Sequence, residues 1–306
     1  MPVSPHKSLV LSLLKLLKTH TDEDHRLIQS DILELLQREY GLAPTRKTLR
    51  NNLEELQEAG FPIFYSDGWY YEHEMTFAEL DLLVDSIHNV DGLPAVQRAG
   101  LLEKLRSLSS KWYDNPIEYA QLRPWNPELM YILDVLHRAV TSECQVTFNY
   151  CNYDVDKKLH PRLDEQGRVK EYVVNPYRVA SANGRYYLIC NVQKYPAITH
   201  FRVDRIVNIR LNHEKRKPIT QVEGLVQGID LTEYVVRHPY MYAGEPVRYK
   251  LKIQREGIND ILDWFGMNTL LEEPSPDRIY ATVITDPKSM EIWLARYHEL
   301  AEPVDP

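Results

Sequence analysis

The sequence lacks the features that most membrane-bound, secreted and enzymatic classes require. No run of about 18 apolar residues occurs anywhere in its 306 residues, so no membrane span is expected. Lysines interrupt the apolar N-terminal stretch at helical spacing, and no small-residue cleavage site follows it, so a signal peptide is not expected either. Cysteine is scarce: Cys144, Cys151 and Cys190 are odd in number and scattered. They make neither a disulfide framework nor a metal site, and they fit a reducing, cytoplasmic setting. There is no Gly-x-Ser-x-Gly elbow, no Gly-x-x-x-x-Gly-Lys phosphate loop and no His-Glu-x-x-His pair. His20 and His25 flank Asp22, Glu23 and Asp24, but a loop pair of this kind is ordinarily solvated. Asp81 and Asp85 share one helical face and read as exposed rather than catalytic. The expectation is a protein that is not an enzyme and uses no cofactor or metal. Repeats and low-complexity tracts are missing too.

The composition, 43% hydrophobic and 26% charged, is that of an ordinary globular protein, and the length suits two or three domains. A formal net charge of -8 argues against a protein that coats nucleic acid, yet it leaves room for a local basic patch.

Such a patch opens the third of three N-terminal helical segments. Leu9, Val10, Leu13, Leu14, Leu16 and Leu17 recur at intervals of three and four, which predicts a helix over residues 5–18. Ser30 reads as the cap of a second helix, 30–40, with Ile32, Leu33, Leu35 and Leu36 inward, stopped by 41–44. The third helix, 45–59, buries Leu49, Leu53 and Leu56. That leaves Thr45, Arg46, Lys47, Thr48, Arg50 and Asn51 for a DNA groove. Arginine can grip two acceptors of guanine, asparagine two atoms of adenine, and lysine a phosphate. The first half of this helix holds no acid, whereas Glu54, Glu55 and Glu58 crowd the second, an order opposed to the helix dipole. Residues 61–65 and 69–72, joined by Ser66-Asp67-Gly68, read as a two-stranded wing, completing a winged helix-turn-helix over 1–75. The helices expected at 77–88 (Leu80, Leu83, Val84 and Ile87 inward) and 94–110 (rich in Leu101, Leu102, Leu105 and Leu108) are a spacer or dimerisation segment, or simple core, within 76–127. Residues 113–127, with Pro116, Pro124 and Pro127, read as a linker.

A helix at 128–142 (Leu129, Ile132, Leu133 and Leu136) and a strand at 145–150 open the next region, 128–212. Its centre is a run of short strands around Asn183-Gly184, the strongest short hairpin signal. In Phe201-Arg202-Val203-Asp204-Arg205-Ile206 charged and apolar residues alternate. Read as one strand, it puts Arg202 and Asp204 on one face and Phe201, Val203 and Arg205 on the other. Two arginines within four residues are either solvated, paired with an acid or holding an anion. Short strands with frequent turns suit a small antiparallel barrel. After a connector at 213–245, residues 246–306 read as strand 247–253, helix 257–264, strand 279–284 and helix 289–298, a small α+β module.

These residues together resemble the WYL-domain transcriptional regulators. Tyr186-Tyr187-Leu188 after the Asn-Gly turn is similar to the family's Trp-Tyr-Leu, with tyrosine in place of tryptophan. Pro176-Tyr177-Arg178-Val179 and the Phe201–Ile206 motif look like two more of its signatures. Residues 48–63 are similar to its recognition helix and wing entry, although Asn51-Asn52 stand where an Arg-Asp pair is frequent and the wing turn holds no basic residue. The resemblance implies a multidomain α+β chain: a winged helix-turn-helix, a helical linker, an SH3/Sm-like WYL barrel and a C-terminal extension. It implies a homodimer on an operator duplex, with Tyr150, Tyr187, Arg202 and Arg205 facing a nucleotide, oligonucleotide or other anionic effector. The alternative is a nucleic-acid-binding accessory protein, for example in a defence system, without direct transcriptional output.

Overall fold

The computed structural model describes residues 5–115, 126–223, 228, 230–275 and 278–304, so most of the expected linker lies outside the described residues. The chain is mixed α/β and divides into two compact units: Met1–Val90 with Pro94–Leu122, and Asp91–Leu93 with Arg123–Pro306.

The first unit begins with helices α1 (Pro5–His20), α2 (Gln29–Tyr40) and α3 (Arg46–Glu58). Their leucine stripes meet in one core, where Leu13, Leu16, Leu17, Ile32, Leu36, Leu49 and Leu53 are fully buried. Gly41 ends α2 at a positive φ of 66°, a conformation that costs glycine nothing. From there the Gly41 and Leu42 N–H groups donate to the Gln37 and Leu36 carbonyls, both at 3.1 Å. Ser30 is not the cap of α2: the helix starts one residue earlier, behind Ile28, and the Ser30 hydroxyl donates to Asp31 instead. A hairpin follows, β1 (Ile63–Tyr65) and β2 (Trp69–Tyr71), with Ile63, Trp69 and Tyr71 turned into the core. Leu27, between α1 and α2, adds a backbone bridge to Trp69.

Helices α4 (Phe77–Asn89) and α5 (Ala95–Arg106) follow. Thr76 and Glu79 form a reciprocal capping box at the start of α4. The expected inward set is only half right, since Leu80 and Val84 are buried but Leu83 is exposed. Helix α5 stops at Arg106 and fully buries none of its residues. The pair shares one narrow apolar seam, in which Leu102, Leu105 and Phe77 pack on Leu80, Val84 and Tyr113. Of its other apolar positions, Leu82, Leu83 and Val96 are exposed, while Ile87 and Leu101 are half-buried.

The second unit opens with α6 (Leu129–Ser142), then β3 (Cys144–Tyr153), β4 (Leu159–Pro161), β5 (Glu171–Ala182), β6 (Arg185–Val192), β7 (Ile198–Arg202) and β8 (Ile206–Lys215). The strands run antiparallel in the order β4-β3-β5-β6-β7, with β8 on β3. Helix α6 lies on β3, β5 and β8 and buries Ile132, Val135, Leu136 and Ala139. The barrel expected here is not closed, because among the described residues no ladder joins β7 to β8. The Phe201–Ile206 motif is not one strand either: β7 ends at Arg202, Val203–Arg205 make a 3-10 turn, and β8 starts at Ile206. The turn breaks the two-residue alternation, so Phe201, Val203, Asp204 and Ile206 are all buried.

Helix α7 (Leu231–Arg237) lies in what the sequence presented as connector. Then come β9 (Val247–Ile253), α8 (Ile258–Phe265), β10 (Leu270–Ser275), β11 (Arg278–Thr285), α9 (Pro287–Tyr297) and β12 (Ala301–Pro303). The antiparallel order β10-β11-β9-β12 with two helices is the split βαβ arrangement of ferredoxin-like modules. Strand β9 is interior to this sheet and buries Leu251 and Ile253 near Trp293. Strands β10 and β12 carry little apolar alternation, which hid them. No helix among the described residues is long and apolar enough to cross a membrane.

Candidate functional site

Two surfaces carry the residues singled out from the sequence, one in each unit. The first is the outer face of α3. Arg46, Lys47, Arg50 and Asn51 are all exposed, because Leu49, Leu53 and Leu56 fix the opposite face in the core. Thr45 is the N-cap: its Oγ1 accepts the Thr48 N–H at 3.1 Å and meets the Thr48 hydroxyl at 2.8 Å. Both threonines are therefore engaged in starting the helix. The Arg50 Nε donates to Glu54 at 2.8 Å, but both groups are open to water, and such a pair is worth little. Asn52 is buried and donates to the Thr48 carbonyl at 2.6 Å. The face thus presents two cations, Arg46 and Lys47, without a partner among the described residues, one loosely held arginine and one amide. Behind it, Arg26 donates to the carbonyl of Ser66 in the β1–β2 turn at 2.8 Å and lies 5.1 Å from the Tyr70 ring centre.

The second surface surrounds the 3-10 turn after β7. Asn183 and Gly184 both adopt positive φ, 51° and 73°, as a two-residue hairpin of this kind requires. The hairpin sets the register of β6, and β6 sets β7 by pairing Tyr187 with Arg202. The Arg202 N–H donates to the Tyr150 hydroxyl at 3.2 Å. Its guanidinium turns onto Asp204, Nε to Oδ1 at 3.0 Å and Nη2 to Oδ2 at 2.7 Å. Burial works against the charge on Arg202, but the bonds to Asp204 outweigh it and raise the guanidinium's pKa.

Arg205 is placed differently. Among the described residues no carboxylate pairs with it, and its Nε is buried without a hydrogen-bond partner. The Tyr153 hydroxyl is in the same condition, and burial, with Asp204 nearby, raises its pKa against the opposing field of Arg202 and Arg205. Arg162 adds an exposed guanidinium 4.8 Å from the Tyr150 ring centre. Tyr150 and Tyr187 are 6% and 8% exposed, so they build the wall of the site and offer no open ring face. Tyr150 packs edge-on against Phe201 and Tyr172, and Tyr187 packs with Ala180, Ile189 and Met241. Burial also raises the pKa of the Tyr150 hydroxyl.

Of the four residues expected to face a ligand, the structure gathers Tyr150, Arg202 and Arg205 at the turn, and Tyr187 joins them through its pairing with Arg202. Sequence reasoning missed Tyr153 and Arg162. Tyr153 ends the strand that begins at Cys144, three residues past the end expected from the sequence, because Asn152 breaks the alternation of Val146, Phe148 and Tyr150. Arg162 has no local signal.

The turn is held from outside the sheet. Asn126 is 1% exposed, and its Nδ2 donates to the Asp204 and Ile206 carbonyls at 3.0 and 2.8 Å. Its N–H donates to the Gly92 carbonyl at 2.9 Å. Gly92 has a φ of 84°, and a Cβ there would lie 2.7 Å from Cβ of Asp204, so only glycine fits. Asp91, next to it, pairs with Arg185 at 2.9 Å. His20 and His25, the pair beside an acidic loop, instead contact Glu39 and Asp22 at 3.1 and 2.8 Å. Among the described residues no group of three or more potential ligands could hold a metal ion.

The antiparallel sheet of the second unit thus carries an Asn-Gly hairpin, a Tyr-Tyr-Leu strand and an Arg-x-Asp-Arg turn. The family model described as WYL domain matches residues 131–211, and the chain carries that domain. No curated protein matches the chain. Among solved structures it is similar to proteasome accessory factor B/C (PafBC) of Arthrobacter aurescens, with 15% identity and a TM-score of 0.29. The match covers 98% of this chain and 46% of that one, so this chain spans about half of that protein's length.

Proposed function

We propose that the chain is a DNA-binding transcriptional regulator, not an enzyme, whose WYL domain senses a nucleotide, oligonucleotide or other anionic effector. The observation that carries this reading is the pairing of two surfaces in one chain. One is a helix that exposes Arg46, Lys47, Arg50 and Asn51 above a three-helix core and hairpin, the layout of a winged helix-turn-helix. The other is a WYL domain with an arginine, Arg205, whose Nε has no partner.

The helix face suits a duplex. Its first turn adds the positive end of the helix dipole to Arg46 and Lys47, and no acid opposes them there. The turn site suits an anion, because a bound phosphate or carboxylate would give the Arg205 Nε the acceptor it lacks. The Tyr153 hydroxyl can donate to the same group. Arg202 then acts as scaffold, since its charge is already engaged by Asp204.

The test is a gel shift on the chain's own promoter region at physiological salt. Arg46→Ala with Arg50→Ala should abolish the specific complex and leave the circular dichroism spectrum unchanged. Unchanged affinity in that folded double variant would refute the assignment of α3 as the reading helix. An intact shift that drives no change in transcription would instead favour an accessory role.

A further inference from the structure

The face of α1 that turns away from the three-helix core is organised rather than merely solvated. Lys15 and Lys18 lie opposite Leu9, Leu13, Leu16 and Leu17, as the 100° step of a helix dictates, and Leu14 stands at the flank, half-buried against the core. With Arg106, Ser109 and Lys111 from the end of α5 and beyond, they line a groove of about 630 Å³. The lining holds four cations and no carboxylate, in a protein whose net charge is -8. None of the four makes an ion pair among the described residues. The Lys18 and Lys111 ammoniums lie 5.0 and 4.6 Å from the ring centres of Tyr71 and Trp112, which orients them without neutralising them. Ser109, only 7% exposed, lines the same groove, and its Oγ has no hydrogen-bond partner among the described residues. Four unneutralised charges around one concavity repel each other, and an anion removes that cost.

We propose that this groove binds an organic phosphate of nucleotide size. Its volume is within the range of small-molecule sites, roughly 300–1,000 Å³. Four cations exceed what a single carboxylate needs and match a polyphosphate. Leu14 supplies an apolar edge for the rest of the ligand. Operator DNA does not account for the groove. Helix α3 packs on the core side of α1, and its exposed residues point away from that core, so a duplex on α3 lies across the bundle from Lys15 and Lys18. The proposal is independent of the effector site in the WYL domain.

The experiment is calorimetric titration of the full chain with ATP, with adenosine as control. Wild type should bind ATP and not adenosine. Lys15→Gln with Lys18→Gln, both exposed positions, should weaken ATP at least tenfold while the melting temperature of the apo protein holds. Lys111→Gln, beyond the end of α5, should repeat the loss, and Arg205→Ala should leave the lysine-dependent ATP binding intact. Titration on a labelled duplex of about 30 base pairs should show the same salt slope for wild type and the double lysine variant. Absence of ATP binding, equal binding of adenosine, or unchanged affinity in the lysine variants would overturn the proposal. So would a loss confined to Arg205→Ala, or a salt slope reduced by about two, which would make the groove a DNA contact.

Discussion

Arg202 and Arg205 stand three residues apart with the same side chain and opposite circumstances. Asp204, only 5% exposed at its side chain, takes both arms of Arg202. Removing Arg202 strands a buried carboxylate, so Arg202→Ala should cost about 3 kcal/mol in urea unfolding. Removing Arg205 deletes a donor that is already unsatisfied, so Arg205→Ala should leave stability within about 0.5 kcal/mol or raise it. That variant should nevertheless weaken binding of a labelled single-stranded oligonucleotide to the WYL domain at least tenfold. Equal binding by wild type and Arg205→Ala, measured by anisotropy, would take Arg205 out of the site.

His200 supplies a second prediction at this scale. Burial pushes its pKa down to about 4 even though the Met241 carbonyl, 2.8 Å from Nδ1, favours the charged form. The unfolded histidine, with a pKa near 6.5, takes up its proton first as pH falls. The histidine's contribution is therefore complete above about pH 6.5 and is lost progressively down to pH 4. Urea midpoints at pH 7.5 and 5 should differ in wild type, and the difference should shrink in His200→Phe.

Among the elements, a buried amide network spans three strands of the WYL domain's sheet. The Gln145 Nε2 on β3 donates to Asn175 Oδ1 on β5 at 3.0 Å, and Asn175 Nδ2 donates to Asn191 Oδ1 on β6 at 3.1 Å. Asn191 in turn donates to the Tyr195 and Ala197 carbonyls at 2.6 and 2.9 Å, fixing the loop into β7. Asn175 and Asn191 are both fully buried. Asn175→Ala should cost about 1–3 kcal/mol, because it leaves the Gln145 and Asn191 side chains each short of a partner. Thermal melts of this variant should fall while an exposed control, Asn152→Ala, does not. Sequence gave no hint of the network. Asn175 stands in an apolar strand where polarity looks like a flaw, and its partners lie 16 to 42 residues away. The hairpin beside it was fully legible, because Asn183-Gly184 is a local choice of backbone conformation.

For the whole molecule, the question is how the chain assembles. Helices α4 and α5 leave Leu82 and Val96 exposed at 70% and 84%, and Leu83 is uncovered too. The pair buries one seam and has apolar surface left over, which suits dimerisation, one of the roles expected of this segment beside a spacer or simple core. Sedimentation equilibrium at micromolar concentration should give a homodimer, and Leu82→Glu with Val96→Glu should give a folded monomer. A dimer predicts an inverted-repeat operator, since two copies related by a two-fold axis read the two strands alike. A wild-type monomer under those conditions would remove both expectations.

The sequence by itself determined whatever is local. Leucines at intervals of three and four fixed α1, α2 and α3, Gly41 and Thr45 fixed their ends, and Asn183-Gly184 fixed the central hairpin. Each of these depends on neighbours within about four residues, where periodicity and backbone preference act directly. Tertiary structure alone decided which arginine is spent and which is left. Gly92 and Asn126, more than 70 residues before Asp204, press on and bond to the turn that carries it. That turn buries Asp204, and the buried carboxylate claims Arg202. A local pattern of alternating charge carries no information about a contact made from that far along the chain.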